Sequence, residues 1–169
     1  MVELGQIALI LSFMMATYST VVGFAGGMLN GRDLAASARW GFYSICPLLI
    51  LATASLIYAF VTNDFSVKYV AENSNIAMPK VYAWVAFYSG NAGSLLYIAV
   101  AFSVMAGITI RILNSKLPYT SPYALGVMSM VLLFFLAVIL FLANPLDRHE
   151  IALEDGQGMN PLLIHFGMF

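Results

Sequence analysis

The stretch "YALGVMSMVLLFFLAVILFL", from Tyr123 to Leu142, contains no charged residue. A helix needs about 20 apolar residues to cross the hydrocarbon core of a bilayer, and this stretch meets that requirement. Three other runs have the same character: Leu4 to Phe24, Trp40 to Val61, and Gly93 to Ile110. The sequence therefore predicts an all-α integral membrane protein with four transmembrane helices, over residues 4–24, 40–61, 93–110 and 123–142.

The composition agrees with a membrane protein and excludes two classes of function. The 169 residues are 62% hydrophobic and 9% charged, whereas about a quarter of the residues of a soluble domain are charged. A net charge of -1 without a basic cluster gives no electrostatic surface for nucleic acid. Cys46 is the single cysteine, so no disulfide framework and no CxxC or CxxCH motif is present. Redox chemistry by the chain's own thiols is therefore disfavoured.

The four apolar runs carry packing information and no ionisable group in their cores. A proton pump or an ion antiporter needs such a group at membrane depth, so ion transport by this chain alone is disfavoured. Ala99, Ser103 and Gly107 recur every four residues in the third run, a spacing that lets helices approach closely. We predict that these three residues form a helix-packing face, and we predict no catalytic residue and no metal site.

The distribution of basic residues predicts the orientation of the chain. Arg32 and Arg39 fall between the first two runs, and Arg111 and Lys116 fall between the last two. Cytoplasmic loops are enriched in Lys and Arg, so these two turns are expected inside. The N-terminus, an outer loop at 62–92 and an outer tail at 143–169 are then expected outside, with residues 1–169 forming a single membrane module.

The outer loop contains the most distinctive polar stretch, "NDFSVKYVAENSNIAMP" at residues 63–79. The aromatic-rich stretch that follows predicts a short interfacial helix around Trp84, which serves either as part of an aromatic belt or as a floor for a flat hydrophobic ligand. The loop is expected to act as a scaffold or as a docking surface. The candidate residues are Asn63, Asp64, Tyr69, Asn73, Ser74, Asn75, Pro79 and Trp84.

The two histidines of the chain have different surroundings. His149 lies among charged residues, and its spacing from Asp147 and Glu150 matches no metal-ligand pattern. His165 lies in an apolar stretch, where an imidazole is either an axial ligand or a packing residue bonded to backbone.

Several stretches resemble the N-terminal part of the CcmF family, the haem lyases of cytochrome c maturation. They are "LGQIALIL" near the start, "VTNDFSVKYVAENSNIAMP" after the second run, "GSLLY" at the third, and "NPL" followed by "DGQGMNPLLIHFGM" after the fourth. The resemblance implies a protein of the bacterial cytoplasmic or mitochondrial inner membrane. Such a protein receives haem from a haem chaperone and helps attach it to the thiols of apocytochrome c.

The resemblance also implies that haem is held by the complete complex and not by this chain. The family binds haem through histidines and through an outer tryptophan-rich segment, the WWD motif, which this sequence lacks. The first outer-loop ligand histidine of the family is expected just beyond Phe169, and His165 does not align with it. Tyr88, Asn91 and Ala92 depart from the family pattern before the third run, so no ligand role is assigned to that turn.

Two functions remain open from the sequence. In the first, the chain is the N-terminal module of a haem lyase, either truncated or naturally split. It packs in the lipid bilayer against partners that bear the WWD motif, and it is inactive by itself. In the second, it is a non-catalytic accessory or assembly subunit of a respiratory membrane complex, which uses its small-residue faces only to hold helices together.

Overall fold

A computed structural model describes residues 1–76, 82–148 and 155–157. Almost all of the described chain is helical, with one isolated β-bridge between Val67 and Arg148. The helices, in chain order, are α1 (Val2–Met28), α2 (Arg32–Val61), α3 (Lys68–Asn73), α4 (Ala83–Ser89), α5 (Asn91–Lys116) and α6 (Ser121–Phe141).

Four of these helices, α1, α2, α5 and α6, are long and apolar enough to cross a membrane. The predicted all-α fold with four membrane helices is therefore confirmed. Two helices extend well beyond their apolar runs: α2 begins at Arg32, before the predicted Trp40, and α5 continues past Ile110 to Lys116. The added turns contain alanine, leucine, arginine and lysine, which favour helix, so the helix continues where the hydrophobic stretch has already ended.

Pro47 lies inside α2, at a position where a proline commonly kinks a helix or marks a 3₁₀ turn. The helix is α-helical from Arg32 to Val61 without a 3₁₀ turn. Proline removes one backbone donor from the helix, and in a membrane bundle the neighbouring helices make that loss tolerable.

Helix α1 lies between α2 and α6 and contacts both along small residues. A methyl group added at Gly26 would lie 2.9 Å from the backbone nitrogen of Ala35 in α2, and one at Gly23 would lie 3.2 Å from the backbone nitrogen of Gly126 in α6. These separations leave no room for a side chain. The close contacts of α1 with α2 and α6 therefore use its glycines.

The four long helices alternate in direction, so the molecule has two different ends. The turn end contains the α1–α2 turn, the α5–α6 turn and the basic residues Arg32, Arg39, Arg111 and Lys116. The loop end contains α3, α4, the start of α1 and the chain after α6. An exposed ion pair of 3.4 Å between Glu3 and Arg148 joins two segments of the loop end.

Candidate functional site

Tyr69 joins three of the helices at the loop end. Its hydroxyl donates a hydrogen bond of 2.9 Å to the carbonyl oxygen of Phe87 in α4 and accepts one of 3.1 Å from the N–H of Gly90, which precedes α5. Its ring lies edge-on against Phe60 in α2, with 5.8 Å between ring centroids. Only 7% of Tyr69 is exposed. This one side chain therefore fixes α3 relative to α2, α4 and the start of α5.

The chain around the Tyr69 hydroxyl requires glycine at two positions. A methyl group at Gly93 would lie 1.7 Å from the Phe87 carbonyl oxygen and 2.7 Å from the Tyr69 hydroxyl. One at Gly90 would also lie 2.7 Å from that hydroxyl. The start of α5 and the end of α4 meet in a close backbone contact around the phenol, so neither position has space for a side chain.

Burial raises the pKa of the Tyr69 phenol above its ordinary value. The negative charge of Glu72 acts in the same direction, and the backbone N–H groups of Gly93 and Gly90 act in the opposite one. The phenol is therefore neutral at physiological pH and able to donate its proton to the Phe87 carbonyl.

Asn63 and Asp64 end helix α2 and start the loop. Asn63 has a φ of 51°, its N–H bonds the Phe60 carbonyl at 3.3 Å, and the N–H of Asp64 bonds the Ala59 carbonyl at 2.9 Å. This is the Schellman arrangement that closes many helices, and asparagine tolerates its left-handed residue better than most side chains do. The Asp64 carboxylate then accepts bonds from the backbone N–H and the hydroxyl of Ser66.

The chain after α6 is bound to the loop by backbone hydrogen bonds. The N–H of Lys68 bonds the carbonyl of Asp147 at 2.9 Å, and the N–H of Gln157 bonds the carbonyl of Ala71 at 2.7 Å. The Asp155 carboxylate accepts the N–H of Ile76 at 3.0 Å. We call residues 63–76, α4 and residues 144–148 and 155–157 the loop-and-tail layer, because these contacts and those of Tyr69 join them across the loop end.

The remaining predicted loop residues occupy different places in this layer. The Asn73 side chain donates to the Tyr69 carbonyl at 2.9 Å, and Asn75 is half-buried. Ser74 is completely buried, and its hydroxyl has no hydrogen-bond partner within the described part of the chain. The side-chain hydrogen bonds of Asn73 stay within α3, whereas the bonds to α4 and α5 come from Tyr69.

Some predicted positions lie outside the described residues. These are Pro79, His149 and His165, together with the side chain of Trp84. The short helix expected around Trp84 is present as α4, and its Val85, Ala86 and Phe87 are buried against the bundle. A position of α4 at the membrane surface stays a prediction. Among the described residues, no group of three or more His, Cys, Asp or Glu side chains lies close enough to hold a metal ion.

The three small residues of the third run occupy one face of α5 but differ in their contacts. Ala99 and Ser103 are buried. A methyl group at Gly107 would meet only the Tyr43 ring, at 3.8 Å, which is ordinary van der Waals contact. Near the turn end this face therefore borders open space, whereas Gly23 and Gly26 of α1 are in tight contact.

Sequence reasoning missed several contacts that join separate segments of the loop end. It assigned no partner to Phe87, Asp155 or Arg148, which contact Tyr69, Ile76 and Glu3. No local pattern identifies their contacts, because each contact joins segments that are far apart in the sequence. The apolar residues within the polar loop, Val67 and Val70, were the available signal: both are completely buried.

The fold and the site define a helical integral membrane protein that carries a hydrogen-bonded loop-and-tail layer at one end of a four-helix bundle. No family model matches the chain. The chain is 36% identical to the cytochrome c-type biogenesis protein CcmF of Pseudomonas fluorescens over 173 residues, and 33% identical to that of Escherichia coli over 167 residues. These alignments cover 98% and 96% of the chain, and 25% of each relative.

A solved structure described as the cytochrome c haem lyase CcmF has the same fold over this region. The TM-score is 0.76 at 20% identity, with 86% of this chain and 24% of that chain covered. The chain thus spans about a quarter of the length of the relatives that it matches and corresponds to their N-terminal portion. It belongs to the CcmF family of cytochrome c-type biogenesis proteins, in agreement with the resemblance found in its sequence.

Proposed function

We propose that this chain is the N-terminal membrane module of a haem lyase and that its loop-and-tail layer supports the transfer of haem from a haem chaperone to apocytochrome c. The relatives named for cytochrome c biogenesis support the process. The single observation that supports the scaffold role is the set of Tyr69 contacts, which join α3 and α4 of the layer to α2 and to the start of α5.

A scaffold role suits the chemistry of haem attachment. The new bonds form between thiols of the apocytochrome and vinyl groups of haem, so the enzyme contributes mainly the orientation of its two substrates. Holding reactants in a fixed geometry lowers a barrier only when the surface that holds them is itself rigid. The iron ligands and the WWD motif are supplied, in this proposal, by other segments or subunits of the complete lyase, and the chain alone is inactive.

The proposed orientation places the loop-and-tail layer on the outer side of the membrane. Four of the seven basic residues of the chain lie at the turn end. Among the described residues of that end, only Asp33 is acidic. By the positive-inside rule the turn end then faces the cytoplasm. The bacterial relatives favour the bacterial inner membrane, with the layer in the periplasm, where a haem chaperone and the apocytochrome meet it.

The proposal is tested by complementation. The chain is co-expressed with the part of Escherichia coli CcmF that it does not match, in a strain that lacks CcmF, and covalently attached haem in a c-type cytochrome is measured by haem staining. Restored attachment supports the proposal. A pair that co-purifies with haem but matures no cytochrome contradicts it, and recovery of the chain only with respiratory subunits favours the accessory role.

The same assay tests the scaffold. Tyr69→Phe should lower the yield of matured cytochrome because it loosens the layer. Tyr97→Phe is the matched control, since Tyr97 lies in α5 with 51% of its surface exposed. Equal yields from the two variants, at equal amounts of protein in the membrane, would mean that the rigidity of the layer is not used.

A further inference from the structure

A groove of about 660 Å³ lies between α2 and α5 near the turn end. Its α5 wall includes Ser103 and Gly107 of the small-residue face, together with the partly exposed side chains of Val104 and Ile108. The missing side chain of Gly107 is one reason for the space, because the nearest atoms of Tyr43 on α2 lie 3.8 Å from where its Cβ would be. The volume is in the range of sites that bind small molecules.

The groove has strong positive charge at the end nearest the turns. Arg39 and Arg111 both line it, and its described lining contains no Asp or Glu. Arg39 donates a hydrogen bond to the side-chain oxygen of Asn114, which joins α2 to α5. Arg111 is exposed, and it forms no hydrogen bond or ion pair with any residue that the structure describes. Two guanidinium groups therefore face the groove without an anionic partner.

We propose that this groove binds one anionic phospholipid, with the phosphate at Arg39 and Arg111 and an acyl chain along Val104, Ile108 and Gly107. Basic pockets between membrane helices bind acidic lipid headgroups in this way. Trp40 lies at the rim with 75% of its surface exposed, which is the usual position of tryptophan at the level of the headgroups.

Charge favours a lipid over another helix as the occupant. An apolar helix laid into the groove would cover Val104 and Ile108 but would leave the two arginine charges without a counter-charge in a low-dielectric setting, which is costly. A phosphodiester neutralises the charge and can accept several hydrogen bonds from guanidinium groups, while its acyl chain covers the apolar wall.

Native mass spectrometry of the protein released from detergent micelles tests the proposal. The micelles contain equal amounts of phosphatidylglycerol and phosphatidylcholine with the same acyl chains. We expect the wild-type protein to retain one phosphatidylglycerol with a preference of about tenfold, and Arg111→Gln to reduce that preference about fivefold, the effect of removing one basic residue at a membrane surface. Arg111→Lys should keep most of it.

Two further variants separate the groove from the general surface charge. Lys116→Gln removes the same charge from the same end of α5 at a residue outside the groove lining, and it should leave the preference unchanged. Gly107→Leu fills the groove without changing the charge, and it should reduce retention of both lipids. Circular dichroism confirms that each variant keeps its helix content.

Equal retention of the two lipids by the wild-type protein would overturn the proposal. So would an equal effect of Arg111→Gln and Lys116→Gln, because it would show diffuse attraction to the whole turn end. Unchanged retention in Gly107→Leu would place the lipid elsewhere.

Discussion

Replacing Tyr69 with phenylalanine is the sharpest perturbation of the loop end. The change keeps the ring against Phe60 and removes only the hydroxyl, which donates to the Phe87 carbonyl and accepts from the Gly90 N–H. Each buried hydrogen bond contributes about 1 kcal/mol, so the loss is about 2 kcal/mol. That free energy corresponds to about a 30-fold change in the equilibrium between closed and open layer.

Hydrogen–deuterium exchange measures this opening directly. In the protein in detergent, the amides of residues 82–96 should exchange about 30-fold faster in Tyr69→Phe than in the wild type, because local opening controls their exchange. The described hydrogen bonds and ring contact of Tyr69 involve neither α1 nor α6, so exchange in these two helices should stay the same. Tyr97→Phe serves as the control. Exchange in residues 82–96 that changes less than about threefold would refute the view that the Tyr69 hydroxyl holds the layer closed.

Three other predictions follow from the loop end. Gly93→Ala should destabilise the protein by about 3 kcal/mol in thermal denaturation, or prevent its accumulation, because the new methyl group would meet the Phe87 carbonyl oxygen at 1.7 Å. The control variant Gly107→Ala should be nearly neutral in that assay. Asn63→Ala should lower stability by about 1 kcal/mol because of its φ of 51°, and Asn63→Gly should not; equal losses would show that the side chain, and not the backbone conformation, matters. Since burial raises the pKa of Tyr69 above its ordinary value of 10.0, the stability that it contributes is fully present below that value and is lost as the pH rises through the folded pKa. The difference in absorbance at 295 nm between the wild type and Tyr69→Phe should have its titration midpoint above the ordinary value, and a midpoint at or below that value would contradict the burial of the phenol.

The sequence was sufficient for the bundle because the bilayer imposes a simple rule on length and polarity. Runs such as 123–142 must be helical to satisfy their backbone in lipid, and the structure has a helix there. The ends of the helices were less predictable. Arg32 and Lys116 are polar residues that extend α2 and α5 beyond the apolar runs, and hydropathy alone contains no signal for them.

The loop was predicted as a polar scaffold, and its physical basis became visible only in three dimensions. The polar candidates for this role included Asn63, Asn73 and Ser74. In the structure Asn63 closes α2, and the connection to α4 and α5 is the hydroxyl of Tyr69. A tyrosine and a glycine that meet across more than twenty residues leave no periodic pattern, so their contact could not be predicted from spacing.

In the proposed orientation, the loop-and-tail layer faces the side of the membrane on which haem is attached. The most direct test labels single cysteines with a membrane-impermeant maleimide in intact bacterial spheroplasts, after Cys46→Ser removes the native thiol. Asn75→Cys in the layer should be labelled, and Tyr119→Cys in the α5–α6 turn, at a residue with 77% of its surface exposed, should be labelled only after lysis. Labelling of position 119 in intact spheroplasts, with position 75 protected until lysis, would contradict the account.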